Sequence, residues 1–365
     1  MKFSCTQENL HQGLEIVSRA SGKNAALPIL SNILISAEST SVRLTATNLE
    51  IGISCLVRGK VESEGAYTVQ SRLLNEFVSL LPGDRIDVGT ENESLKLKTD
   101  QTQTTIKGLP AEEFPLIPKI EKINPIKIDP TELKRAISQV IFAAAQDNTR
   151  PEINGVYLEI KDKELIMAAT DSYRLSEKKI ALENTKEPKK AIIPTRALQE
   201  LLRILDNEAG QTILYITENQ LLACIGDIEL VSRLIEGQYP DYSQIIPQEA
   251  KTTATLPVAE LTRIIKAASL FCKTGINDIN IKLEPGKRIT INTANTQVGE
   301  HATGLEGDIV GQPSACVFNY RYLLDGLGSI ETEDVILEIT DSESPGLLKP
   351  TNKQPHQYLI MPIRQ

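Results

Sequence analysis

Along the chain, apolar residues recur first with the three-and-four spacing of a helix and then with the alternation of strands, and this succession returns three times. The stretch Glu8–Ala20 sets Leu10, Leu14 and Val17 on one side of a helix; Glu132–Ala144 does the same with Leu133, Ile137 and Val140, and Ala259–Phe271 with Leu261, Ile265 and Ala268. A step of 123 residues carries the first trio onto the second, and one of 128 carries the second onto the third. A second stripe behaves alike: Leu74, Val78 and Leu81, then Leu198, Leu202 and Leu205 after 124 residues, then Leu323, Leu327 and Ile330 after 125. Two separate helices with nearly one period predict three tandem copies of a single unit.

Helix starts and strands fill in the unit. Asp129, Pro130 and Glu132 form a capping-box pattern, Ser71 and Thr195 are equivalent cap candidates, and Asn319 lies one residue early in the third copy. Strand-like runs separate the helices, among them SNILISA, SVRLTAT and IGISCLV in the first copy, GVYLEI, ELIMAAT and RLSEKKI in the second, INIKLE and RITINTA in the third. Others follow each second helix, including RIDVGT, TILYIT, VILEIT and the terminal QYLIMPI. Each copy is therefore an α+β unit of helix, strands, helix, strands. Proline-bearing connectors at Phe114–Pro125 and Tyr239–Ala250 set the expected domains at 1–123, 124–249 and 250–365.

Composition narrows the function. A chain of 365 residues, 41% hydrophobic, supplies each third with material for its own core, and no run of about 18 apolar residues offers a membrane span. Five widely spaced cysteines without a C-x-x-C pair argue against a disulfide framework or zinc site and fit a reducing cytoplasm. Three histidines in no acid–base or ligand spacing, and the lack of a phosphate-cradling glycine motif, predict no catalysis, metal or cofactor. The net charge of −9 opposes a broad basic grip on nucleic acid. The six helical windows, however, hold nine basic against eight acidic residues, so the acidity lies elsewhere.

Several segments, in their order and spacing, carry a resemblance over essentially the whole length: MKFSC, LPILSNILI, TATNLEIGI, FPLIP, TRPEINGVYLE, AATDSYRL, EGQYPDYSQIIP, FNYRYLLDGL and YLIMPIR. The chain resembles the bacterial sliding clamps, the beta subunits of DNA polymerase III. The resemblance implies a head-to-tail homodimer whose six domains close into a ring, with helices lining the hole and antiparallel sheets outside. Double-stranded DNA would pass through the hole without sequence selection. The implied partners are the catalytic subunit of DNA polymerase III, an ATP-driven clamp loader, other polymerases and repair proteins. The rival reading is a repeat scaffold that gathers proteins without encircling DNA.

Candidate residues follow for both surfaces. The lining cations are Arg72, Lys134, Arg135, Arg196, Arg203, Arg263, Lys266 and Arg321, placed to meet phosphates rather than bases, although solvated helix faces carry such residues too. Lys23, Arg150 and Lys273 follow the first helix of each copy; family loops matching the first two touch DNA, which singles out Lys23, Asn24, Gln146 and Arg150. In the family a hydrophobic cleft between the second and third domains receives a partner peptide. Its matching residues here are Ile153, Thr170, Ser172, Tyr173, Arg174 and Leu175, then Pro240, Ile245 and Ile246, with Asn319, Tyr322, Met361, Pro362, Ile363 and Arg364. Ser172 and Tyr173 stand where many relatives have glycine and histidine, so the cleft rim is expected to differ in shape.

Overall fold

A computed structural model describes residues 1–22, 26–82, 85–147, 149–183, 187–207, 210–273, 275–286, 288–352 and 354–364. Among these residues six α-helices form: α1 (Gln7–Ser18), α2 (Ser71–Ser79), α3 (Pro130–Val140), α4 (Thr195–Asn207), α5 (Val258–Ser269) and α6 (Tyr320–Gly328). They are the two helices expected in each third. Their apolar stripes are buried: Leu10, Leu14 and Val17 on α1, Leu133, Ile137 and Val140 on α3, Leu261, Ile265 and Ala268 on α5. Each such side chain removed from water contributes up to roughly 1.5–3 kcal/mol. One position departs from the sequence reading. On α4 the core contacts fall to Ala197, Leu198, Leu201, Ile204 and Leu205, while Leu202 is only half-buried, because the helix turns Leu201 rather than Leu202 inward.

The caps are partly as expected. Asp129 Oδ1 accepts from Thr131 N at 2.9 Å, and Asn319 accepts from Arg321 N at 3.0 Å, so both cap their helices. Ser71 and Thr195 do not cap. Each is already the first helical residue; Ser71 is buried, and the Thr195 hydroxyl donates to the Asn154 carbonyl at 2.8 Å.

Contacts divide the chain into two compact units, residues 1–131 with 196–234 and residues 132–195 with 235–365. The first unit is built on a thirteen-stranded antiparallel sheet in which strand Ile228–Arg233 pairs with Ile51–Val57, joining strands of the first and middle thirds edge to edge. The second contains a nine-stranded and a four-stranded antiparallel sheet; in the larger, strand His356–Ile360 pairs with Arg174–Ala181. Pairing across copies satisfies edge strands that would otherwise expose their backbone groups. Helices lie close on these sheets. At Gly326 on α6, an added Cβ would stand 2.3 Å from the Tyr358 ring, so only glycine allows that approach. The terminal run expected as one strand ends at Ile360, and Met361–Arg364 continue without regular structure.

Candidate functional site

Within the second unit, a tight turn at Thr170–Arg174 organises the candidate cleft. Thr170 Oγ1 donates to the Arg174 carbonyl at 2.6 Å and accepts from Ser172 N at 3.1 Å; Asp171 Oδ1 accepts from Tyr173 N and Arg174 N, both at 3.0 Å. Short polar side chains bonding to nearby backbone are what hold such a turn, and they keep Ser172 at φ 77°. The strand leaving the turn places Leu175 opposite Leu359, and Met361 N donates to the Tyr173 carbonyl at 2.8 Å, extending the ladder past the strand end. Leu175, Leu347 and Leu359 are fully buried together, with Tyr242 and Ile246 packed against them.

Above this floor lies a cavity of about 150 Å³ lined by Arg150, Ile153, Thr170, Ser172, Arg174, Leu175, Pro240, Asp241, Tyr242, Ile245, Leu359 and Met361. Tyr242 connects its two walls, packing on the leucine cluster and on the cluster around Ile153, Tyr157 and Tyr239. The Tyr242 hydroxyl donates to Glu177 Oε2 at 2.8 Å, and Gln357 donates to Glu177 Oε1 at 2.8 Å, which satisfies a buried carboxylate. Burial first, and the Glu177 charge second, push the Tyr242 phenol well above its ordinary range. Arg174 closes one end. Its guanidinium donates to Asp171 Oδ2 at 2.9 Å, to Asp325 and to the Phe142 carbonyl at 3.0 Å, and lies 4.7 Å from the Tyr322 ring centre.

The sequence-predicted residues are thus brought together only in part. Ile153, Thr170, Ser172, Arg174, Leu175, Pro240, Ile245 and Met361 line the cavity. Tyr173 points into solvent, 63% exposed, and stacks on Tyr322. Tyr322 supports Arg174 from outside the cavity, Ile246 packs against the leucine cluster, and the Asn319 side chain is used as a helix cap. Pro362, Ile363 and Arg364 are not among the residues lining the cavity, and Ile363 N donates to the Val317 carbonyl at 2.8 Å. Asp241, Tyr242 and Leu359 complete the lining beyond the residues the sequence points to; Tyr242 lies in the YPDYSQIIP run and Leu359 in YLIMPIR. Arg150, expected at DNA, is exposed and donates to Glu152 at 3.1 Å and to Ser172 Oγ at 3.0 Å on the cavity rim.

On the helices, Arg72, Lys134, Arg196, Arg203, Arg263, Lys266 and Arg321 are exposed, opposite the buried stripes. Among the described residues no acid pairs with Arg196, Arg263 or Lys266, whereas Arg72 pairs with Glu76 at 2.7 Å and Arg203 with Glu200 at 2.7 Å. Arg135 is half-buried between Glu132 and Glu331, at 2.8 and 3.1 Å, so its charge is already met within the chain. The solvent face of α1 is acidic, with Glu8 and Glu15 exposed. Gln146 and Lys273 are exposed; Lys23 and Asn24 lie outside the described residues. Among the described residues no group of three or more histidines, cysteines or carboxylates could hold a metal, and no helix is long and apolar enough to cross a membrane.

Comparison with known proteins fixes the class. The N-terminal, central and C-terminal domains of the DNA polymerase III beta subunit match residues 1–118, 127–241 and 243–364 in turn. The beta sliding clamp of Synechococcus elongatus is 31% identical, covering 100% of this chain and 99% of its own, and that of Bacillus subtilis is 29% identical over the full length of both. Among solved structures, the Bacillus subtilis clamp superposes with a TM-score of 0.96 at 29% identity, covering 100% of this chain and 99% of that one. The Pseudomonas aeruginosa clamp bound to griselimycin does so with 0.95 at 28%, covering both chains fully. Fold and matches together define a DNA sliding clamp, a non-catalytic processivity factor. The chain belongs to the DNA polymerase III beta subunit family.

Proposed function

We propose that two copies of this chain join head to tail into a ring that encircles double-stranded DNA, and that the cavity at Thr170–Met361 is where replication and repair proteins dock. The domain boundaries fall near residues 123 and 249. Arg196, Arg263 and Lys266 are the strongest candidates for phosphate contact, since they are exposed and no acid neutralises them. Arg72, Lys134, Arg203 and Arg321 act alongside them, and Gln146 touches DNA from its loop. Contacts of this kind read no bases and are shed in salt. A net charge of −9 keeps DNA away from the remaining surface. Persistence on DNA then comes from topology, and weak contacts let the ring slide.

Docking follows from the cavity's make-up, the observation that carries this part of the reading. An apolar floor of Leu175 and Leu359 with polar groups at the rim suits an extended peptide that buries one or two large apolar anchors. Each anchor contributes roughly 1.5–3 kcal/mol. The clients are the catalytic subunit of DNA polymerase III, the clamp loader, other polymerases and repair proteins, all in the cytoplasm. Ile245 and Met361 are accessible enough to be changed without opening the core. Replacing both by aspartate is expected to abolish capture of the polymerase subunit while sedimentation still gives a particle of two chains. Undiminished capture overturns the cleft assignment, and a single-chain particle for the unaltered protein overturns the ring.

A further inference from the structure

The turn that organises the candidate cleft occurs a second time, within the first unit. Thr47 Oγ1 donates to the Ile51 carbonyl at 2.9 Å and accepts from Leu49 N at 3.0 Å, while Asn48 Oδ1 accepts from Glu50 N at 3.0 Å and Ile51 N at 2.8 Å. Every bond has its counterpart at Thr170–Arg174, and Leu49 takes φ 78° where Ser172 takes 77°. The ladder matches as well. Val231 faces Gly52 as Leu359 faces Leu175, and Arg233 N donates to the Glu50 carbonyl at 2.9 Å as Met361 N does to that of Tyr173. A proline segment, Pro115–Pro118, borders this turn as Pro240–Ile245 borders the other, and between them lies a cavity of about 210 Å³.

Two features say what this cavity is suited to hold. Leu116 is 96% exposed and Leu49 44%, so large apolar side chains stand in water on its rim. Arg233 occupies the place of Met361; it is exposed, and among the described residues no acid pairs with it, neighbouring Glu50 included. In the other cavity both cations are already held, Arg174 by Asp171 and Asp325 and Arg150 by Glu152. At the floor, Gly52 replaces Leu175 and Ile117 fills part of the vacated space, its Cδ1 lying 2.7 Å from where a Cβ would stand.

We propose that this first cavity is a second peptide-docking site, taking an extended segment of a partner protein in which an aliphatic anchor adjoins an acidic residue. The anchor enters between Ile51, Ile117 and Val231, Leu49 and Leu116 close over it, and the acid makes a charge-assisted hydrogen bond with Arg233. The docking mode, though not the occupant, rests on the reading of the Thr170–Met361 cavity as a client cleft.

The test uses the full chain and a fluorescent peptide with two leucines flanking one aspartate, beside a twin with lysine for aspartate. In an Ile245→Asp/Met361→Asp variant the aspartate peptide is expected to remain bound, and the lysine twin to bind at least tenfold more weakly. Adding Leu116→Asp and Arg233→Glu is expected to weaken the aspartate peptide at least tenfold, with the circular dichroism spectrum unchanged. Loss in the first variant alone overturns the second site and leaves the client cleft standing. Loss only on changing Leu116 and Arg233 supports it even if the client cleft fails its own test. Indifference to both pairs of changes, or no binding to the unaltered chain, overturns the proposal.

Discussion

At Thr47–Ile51 and at Thr170–Arg174 the chain makes one turn with one set of hydrogen bonds, yet the strands leaving the two turns carry different chemistry. One floor has Leu175, the other Gly52 with Ile117 leaning over it. Further along, Lys178 pairs with His356 across the ladder in the second unit, where the first pairs Cys55 with Ile228. The rim cations differ too: Arg150 and Arg174 are met by acids at one cavity, whereas Arg233 at the other is unpaired among the described residues. In both places a threonine and an Asn or Asp supply the bonds that hold the backbone frame. The side chains set upon it decide depth, charge and pH response, so a duplicated frame can diverge in what it binds.

The floor offers the largest test of that contrast. Leu175→Ala is expected to destabilise the second unit by roughly 2–5 kcal/mol, the usual cost of a cavity left by a fully buried leucine, seen as a lower midpoint in urea. Gly52→Ala would instead add bulk against the flexible end of Ile117 and cost about 1–3 kcal/mol. Equal effects at the two positions would mean that the floors are not distinct.

The ladder predicts a pH response confined to one region. Burial, with Lys178 adding to it, lowers the His356 pKa from 6.5 to about 4. Between those values the unfolded chain binds a proton that the fold refuses. The neutral ring therefore contributes stability in full above pH 6.5, and this is lost as pH falls toward 4, by about 3 kcal/mol at a unit's worth of roughly 1.4 kcal/mol each. His356→Gln should flatten the urea midpoint of the second unit between pH 7 and 4, and a slope that survives the change would place the titration elsewhere. The smallest expected effect is at the wall. Tyr242→Phe leaves Glu177 Oε2 without its phenol donor and should cost about 1–2 kcal/mol, with Gln357 still holding the other oxygen. A neutral result would show that water replaces the hydroxyl.

Much of this architecture could be read directly from the residues. The threefold period worked because Leu10, Leu133 and Leu261 answer to one local rule, the helical repeat, which needs no knowledge of the rest of the chain. Leu202 failed the same rule because a wide apolar face on α4 leaves the choice between Leu201 and Leu202 to packing. The cavity was harder. Leu359 reaches it only through its pairing with Leu175, 184 residues away, and Tyr242 through a short 3-10 turn at Ser243–Ile245 that no periodicity announces. Asn319, Tyr322 and Ile363 have other partners, a cap, a guanidinium and a neighbouring strand, and those uses appear only in three dimensions. The first cavity left a faint signal, TATN against AATD, whose meaning depended on seeing both turns closed by the same bonds.

Encirclement is the central claim about function, and it is tested by placing the protein on nicked circular DNA with a clamp loader, removing free protein and then cutting the circle once. A closed ring predicts long residence on the intact circle and prompt loss through the new ends after cutting. Equal residence before and after the cut would show binding without encirclement and contradict the account.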